Sequence, residues 1–496
     1  MKKEVFAGIC LSVAVCGFGC GFLMSAYQME RPIALQSDKS FRDIPDTADF
    51  GAYLAGLLAR DEQDISKAAH FYERAYQGDK NNHALKTDVY LLSGLAGRSD
   101  LFIQIAKEMA KEKNTYYAPL FLSAEAIGRG SYEEALDLVS GISKTGDITA
   151  ILVPVLKAWS YAGLRNEEKA FRALNVLNKK QTIGFYLYQT ALLGMYFNQP
   201  EKVQKAFEQM VDIKIPTVTV LQAARYFYLR QGRWHPENPL YQVYQQTIAD
   251  NPALGEILVT RADEFSQVTP AKGVAEAFFA VSTFVGGEEG FKETGLMFNQ
   301  IAVQLDFEAN VYKIWGAEQF ESVKYYVEAN RLYDSISNVS GTILFKKALN
   351  LMLMDQNEQA EEILTSLVQK APKDVVLMVM LGNLYRDTKR PELAQKLYTK
   401  ALSLTEADNK KQLTDLYFSR AMAYEALNNA PARDEDLQKA LELMPNNAEL
   451  LNYLGYVWIE DGQHFEKAMS HIRRAHQLAP KAPHIWDSLA WGYYKQ

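Results

Sequence analysis

Small and apolar residues recur at helical spacing along most of the chain, and the clearest unit is Val375–Leu404. It places Leu381-Gly382, then Tyr385, then Ala394, Tyr398 and Ala401, with a polar break at Asp387–Pro391. These offsets put the residues on one face of a helix, so the pattern predicts two amphipathic helices joined by a turn. The frame repeats before it in Ala348, Ala360, Leu364 and Pro372, and after it in Ala421, Tyr424, Leu437, Ala440 and Pro445. Leu454-Gly455, Trp458, Ala468, Ile472, Ala475 and Pro480 form a further copy, with one extra residue in the turn at Gly462–Phe465. Toward the N-terminus the alanine slot runs through Ala68, Ala106, Ala135, Ala170 and Ala206, and later through Ala329, Ala360, Ala394 and Ala468. Gaps of 38, 29, 35 and 36, then 31 and 34, scatter around one period.

A pair of short helices is too small to bury its own apolar face, so each pair stacks on the next, and Gly or Ala at the crossings lets the backbones approach. Pro372, Pro445 and Pro480 fall between pairs, where a missing amide proton costs little. Strand signals are nearly absent, the best being Thr217–Leu221. The expected fold is therefore an all-α solenoid of antiparallel helix pairs. Two departures stand out: a charged insert at Thr405–Thr414, and Arg433 in an alanine slot. An arginine between two close helices is expected to splay them or to send its stem out to water.

The repeat resembles the tetratricopeptide (TPR) family, whose signature is W-x2-L-G-x2-Y, then A-x3-F, then P, near a period of 34. Trp486-Asp487-Ser488-Leu489-Ala490-Trp491-Gly492-Tyr493 is close to its first half, with Ala490 in the glycine slot. The stretch Leu450–Tyr494 is also similar to a group of bacterial envelope TPR proteins, often lipoproteins, without an assigned activity. The resemblance is strong over Ser340–Gln496, moderate over Gly51–Ile213 and weak over Ile215–Phe307. It implies a right-handed superhelical solenoid, divided here into an array at 50–214, degenerate helical repeats at 215–307 and a second array at 308–496. Pro483–Gln496 supplies one helix without a partner, so this array reads as ending mid-repeat.

Lys2 and Lys3 precede Val5–Ala26, 22 residues without a charge, which as a helix would span roughly 33 Å. This segment, 1–26, reads as a membrane-targeting leader with the rest of the chain across the membrane. Three fates compete: an uncleaved anchor, signal-peptidase cleavage, or lipidation at Cys20, which Gly19 precedes although Gly17 stands where leucine is expected. Residues 27–49, with Pro32 and Pro45, read as a linker.

Composition then narrows the chemistry. Of 496 residues, 48% are hydrophobic and 23% charged, which excludes a disordered chain. Without the leader, 51 basic and 59 acidic residues remain, a net charge of −8 that gives no attraction to nucleic-acid phosphates. All three cysteines lie in the leader, so the remainder has no disulfide, thiol nucleophile or Cys-ligated metal. No spaced histidine pair, phosphate-binding glycine loop or GxSxG occurs, and the histidines read as solvated surface residues. Neither a catalytic constellation nor a cofactor site is expected.

In TPR arrays the first helix of each pair lines the concave surface. Carried over to this chain, the resemblance offers Val379, Asn383 and Arg386, then Phe418, Met422 and Glu425, then Asn452, Tyr456 and Ile459, and finally Asp487, Trp491 and Tyr494. Asn383, Arg386, Met422, Asn452, Tyr456 and Trp491 are the candidate partner-binding residues, since Tyr, Trp and Arg anchor interfaces and Asn can both donate to and accept from a peptide backbone. Packing between repeats is the competing role for any of them. Val379 and Phe418 stand where a carboxylate clamp would need lysine, which argues against a cytosolic co-chaperone. The chain thus reads as a non-catalytic scaffold at the bacterial envelope, on the periplasmic side, binding a protein or peptide. The alternative is an envelope enzyme or carbohydrate-binding protein with its site in 215–307 around Arg233, Trp234 and His235.

Overall fold

The computed structural model describes residues 49–112, 117–142, 147–212, 217–250, 267–288, 291–337 and 339–496. The leader with Cys20, and all but the last residue of the linker, lie outside the described residues. The chain forms two compact units, one ending at Ser340 and one running from Gly341 to Gln496.

Among the described residues the first unit holds eight helix pairs. In order they are α1 (Phe50–Asp61) with α2 (Ile65–Gly78), α3 (His83–Leu95) with α4 (Ser99–Met109), α5 (Tyr117–Gly128) with α6 (Tyr132–Ser140), and α7 (Asp147–Gly163) with α8 (Glu167–Leu174). Then come α9 (Ile183–Tyr196) with α10 (Pro200–Asp212), α11 (Val218–Arg230) with α12 (Pro239–Asp250), α13 (Pro270–Gly286) with α14 (Lys292–Leu305), and α15 (Asn310–Ser322) with α16 (Tyr326–Asp334). The second unit holds α17 (Gly341–Leu353) with α18 (Asn357–Lys370), α19 (Val375–Asp387) with α20 (Pro391–Leu404), α21 (Lys410–Ala426) with α22 (Ala430–Leu443), α23 (Ala448–Glu460) with α24 (Phe465–Leu478), and a last helix, α25 (Pro483–Lys495). Among the described residues there is no strand. Thr217, where the best strand signal began, instead caps α11, its hydroxyl accepting from the Val220 amide.

The repeat is set by two positions per pair. Ala68, Ala106, Ala135, Ala170, Ala206, Ala329, Ala360, Ala394 and Ala468 are all buried, each on the second helix of a pair. Between the two helices a residue turns left-handed: Gln63, Gly97, Gly130, Arg165, Asn198, Gly232, Lys324, Asp355, Lys389, Asn428 and Gly462, the last with His464 beside it in the longer turn. That conformation ends a helix by letting the next amides reach back to its last carbonyls. Asn166 N–H, for example, donates to Tyr161 O at 2.9 Å. From Gln63 to Gly232 these residues fall 34, 33, 35, 33 and 34 apart.

In the hairpin α13–α14 a different feature stands out among the described residues. Gly287 after α13 has φ −74°. The two helices instead approach at Gly286 and Gly295, where a Cβ on Gly295 would lie 2.6 Å from the Gly286 Cα. The hairpin packs against first helices other than its neighbours: α13 on α5, α7 and α9, and α14 on α3 and α5. Phe278 and Phe298 meet Phe121 of α5 at ring distances of 6.0 and 5.1 Å. The face formed by the first helices of the N-terminal pairs is thus filled by the chain's own α13 and α14. The closure continues with α16 on α2, where Ser66 N–H donates to Glu328 Oε1 at 3.1 Å across 262 residues.

Arg433 corrects the expectation for its alanine slot. It neither splays out nor reaches water: the residue is 2% exposed. Its guanidinium donates to Glu425 Oε2 at 2.5 Å, to Asp461 Oδ2 at 2.5 Å and to Asp434 Oδ1 at 2.8 Å. Burial opposes its charge, and the hydrogen bonds to Asp461, Glu425 and Asp434 outweigh that, so its pKa is raised. Slot volume is filled by a cation whose partners come from two successive helices, α21 and α22, and from the turn after α23. His471 also departs from a solvated role, lying stacked on Trp458 at 5.5 Å, with burial lowering its pKa.

Candidate functional site

In the second unit the first helices α17, α19, α21, α23 and α25 form the corresponding face. Within this unit each helix packs on its sequence neighbours, and α19 touches α21 as α23 touches α25. No hairpin of the unit crosses that face among the described residues.

The sequence-derived candidates fall along these helices, and the structure gives them different surroundings. Arg386 of α19 donates to Asp387 Oδ1 at 3.1 and 3.0 Å and reaches Met422 Sδ of α21 at 3.9 Å, so two candidates from adjacent repeats meet. Asn383 is committed to its own pair, accepting from the Tyr398 hydroxyl at 2.8 Å. Asn452 of α23 is 8% exposed, and its Oδ1 has no hydrogen-bond partner. Tyr456, one turn further along α23, is 39% exposed. Trp491 of α25 donates its indole N–H to Glu460, stacks on Tyr494 at 5.3 Å, and carries the Lys495 ammonium 4.8 Å from its ring centre.

A buried amide oxygen without a donor is costly, because desolvation is not compensated. Asn452 is therefore the candidate whose chemistry is incomplete within the chain, while Asn383 and Arg386 already have partners. Glu460 and Asp387 were missed from sequence: each sits one position beyond the residues that the repeat frame singles out, and charge at a helix end reads as ordinary solvation. Of the other frame positions, Glu425 is taken by Arg433, and Ile459 is buried.

In the loop considered for an alternative site, Trp234 is half-buried while Arg233 and His235 are exposed. The Trp234 ring meets Tyr241 and Tyr244, each at 5.5 Å. Arg233 donates to Gln204 Oε1 at 2.9 Å, and His235 Nδ1 lies 3.9 Å from Glu237. Among the described residues no three His, Cys, Asp or Glu side chains are grouped to hold a metal ion, and no helix is long and apolar enough to cross a membrane.

Comparison with known proteins finds similarity over part of the chain. A family model described as tetratricopeptide repeat matches residues 376–408, which cover α19 and α20. A TPR repeat-containing protein of Pseudomonas aeruginosa is 34% identical over 82 residues, 16% of this chain and 14% of that protein. Bacteriophage adsorption protein A of Escherichia coli is 31% identical over 102 residues, 21% of this chain and 10% of that protein. The chain thus matches only a small part of the length of these curated relatives. Among solved structures, the hetero-tetramer Cut9-Hcn1 of the APC/C aligns over 90% of this chain and 96% of its own, at 15% identity and a TM-score of 0.35.

Proposed function

We propose that this tetratricopeptide-repeat chain is a non-catalytic scaffold that binds a protein or peptide partner through the first-helix face of its second unit. The supporting observation is the contrast between the two units: the equivalent face of the first is filled by α13 and α14, while that of the second carries an acceptor, Asn452 Oδ1, that none of the described residues satisfies. An extended segment laid along α19, α21, α23 and α25 would donate a backbone N–H to Asn452, pack on Tyr456 and Met422, and meet Arg386 at one end and Trp491 at the other. The leader reading extends this to a place at the bacterial envelope, with the repeats on the periplasmic side.

The test is a crosslinking pull-down of the full chain from membranes, compared with a variant carrying Arg386→Ala, Asn452→Leu, Tyr456→Ala and Trp491→Ala. Loss of one defined partner set in the variant supports the reading; an unchanged set overturns it. Fractionation and protease accessibility in spheroplasts test the location separately, and Cys20→Ser tests lipidation through loss of incorporated fatty acid.

A further inference from the structure

Two carboxyl groups lie where the N-terminal unit closes on itself, and neither is fully bonded. Glu276, in the middle of α13, is 3% exposed and its Oε2 has no hydrogen-bond partner. Facing it are Lys272 one turn earlier, the hydroxyl of Tyr188 from α9, the hydroxyl of Tyr312 from α15, and Asp306 at the end of α14. The two hydroxyls approach without closing a hydrogen bond, and Lys272 is shared with Asp306, 3.7 Å from its ammonium. Glu328 of α16 is fully buried: its Oε1 accepts from the Ser66 amide at 3.1 Å and the Ser66 hydroxyl at 3.2 Å, while its Oε2 has no partner. The charged groups that face it are Arg331 and Asp64, and the Arg331 guanidinium is turned to the carbonyl of Ala96.

We propose that the closure of the N-terminal unit is proton-gated: α13–α14 and α16 stay seated while Glu276 and Glu328 are neutral, and ionisation of these acids loosens them, uncovering the first-helix face that α13 and α14 occupy. A neutral carboxyl needs no counter-ion, whereas a carboxylate in either place would have one oxygen buried without a donor. Burial is the main cause that pushes each group up from 4.5 to about 7. A folded-state pKa above the unfolded one means that the closed form binds more protons. Its advantage is full below about pH 4.5, falls as pH rises toward 7, and is gone above that. Whether the uncovered face then binds a partner rests on the scaffold reading above; the gating itself does not.

Hydrogen exchange of the full chain in detergent, read by mass spectrometry at pH 5.5 and 8.5 and corrected for intrinsic rates, tests this. The α19–α20 peptides serve as an internal reference. Protection of the α13, α14 and α16 peptides should fall at the higher pH by about 30-fold per carboxylate relative to that reference. Glu276→Gln and Glu328→Gln should each remove part of the fall, and the double variant all of it. A flat wild-type profile, or an unchanged fall in the double variant, overturns the proposal. Should Glu276→Gln fail to fold, Glu328→Gln alone still decides: the fall in the α16 peptides must shrink by about 30-fold, and an unchanged fall overturns the proposal. Failure of the pull-down above would leave this result untouched.

Discussion

The indole of Trp159 lies directly against the bare Cα of Gly273, in a position that any Cβ would overlap. The same indole donates to Gln189 Oε1 at 2.7 Å, and the Gln189 amide nitrogen donates to the Gly273 carbonyl at 3.2 Å, so α7, α9 and α13 are locked at one point. Gly273→Ala forces the ring away from a fully packed site and should destabilise the first unit by about 1–3 kcal/mol, the usual cost of overpacking. Gly141→Ala, with no atom within 4 Å of the added methyl, is the control and should change little. Urea unfolding of both variants checks this; equal midpoints would contradict the seating of α13 described above.

Removing the cation from the second unit should be more damaging. Arg433→Ala restores the slot residue of the other repeats but strands Asp434, whose Oδ2 also accepts from the Trp458 indole at 2.7 Å. Glu425 and Asp461 are part-exposed and can rehydrate, so the expected loss is about 3 kcal/mol, at the lower end for breaking a buried ion pair. A stability equal to wild type would mean that the four-residue cluster is decorative.

Asn452→Leu separates stability from binding. Replacing an unsatisfied buried amide with an apolar side chain of similar size should leave the unfolding midpoint unchanged or raise it, while partner capture falls. A variant that loses stability and keeps its partner would assign Asn452 to packing instead.

Lys389 holds φ 60° in the turn between α19 and α20. A side chain costs roughly 1–2 kcal/mol there and the greater freedom of glycine when unfolded takes back roughly 0.4–1, so Lys389→Gly should stabilise the unit by about 0.5–1 kcal/mol. Thermal melts would show it as a small upward shift.

The sequence made the stacked pairs legible because each pairs a surface of alternating character with a small residue at the crossing, and Ala394 or Ala468 sits on the page as it sits in the fold. It was silent about α13. A helix enclosed by α5, α7, α9 and α14 has no polar face, so Val274–Val285 shows no period for a pattern search to catch. The one visible hint was Lys272 with Glu276, an i, i+4 pair that reads as a solvated edge until its burial is seen. Arg433 was misjudged for a related reason: its three acids stand 8 residues before it, next to it and 28 residues after it, and only the stacking of repeats brings them together. Of the binding candidates, the repeat frame located Asn452 and Tyr456 on one helix, but the commitment of Asn383 to Tyr398 depends on side-chain geometry that spacing does not encode.

The contact between Ser66 and Glu328 has a consequence for biogenesis. A repeat array with only neighbour contacts can fold pair by pair as it leaves a ribosome or a translocation pore. Here α3, α5, α7 and α9 emerge first, with flanks that α13 and α14 cover, and the ties to α2 wait for α16. Closure of the unit therefore waits until about residue 334 has been made, so its first-helix flanks stay open for longer than in an array with neighbour contacts alone.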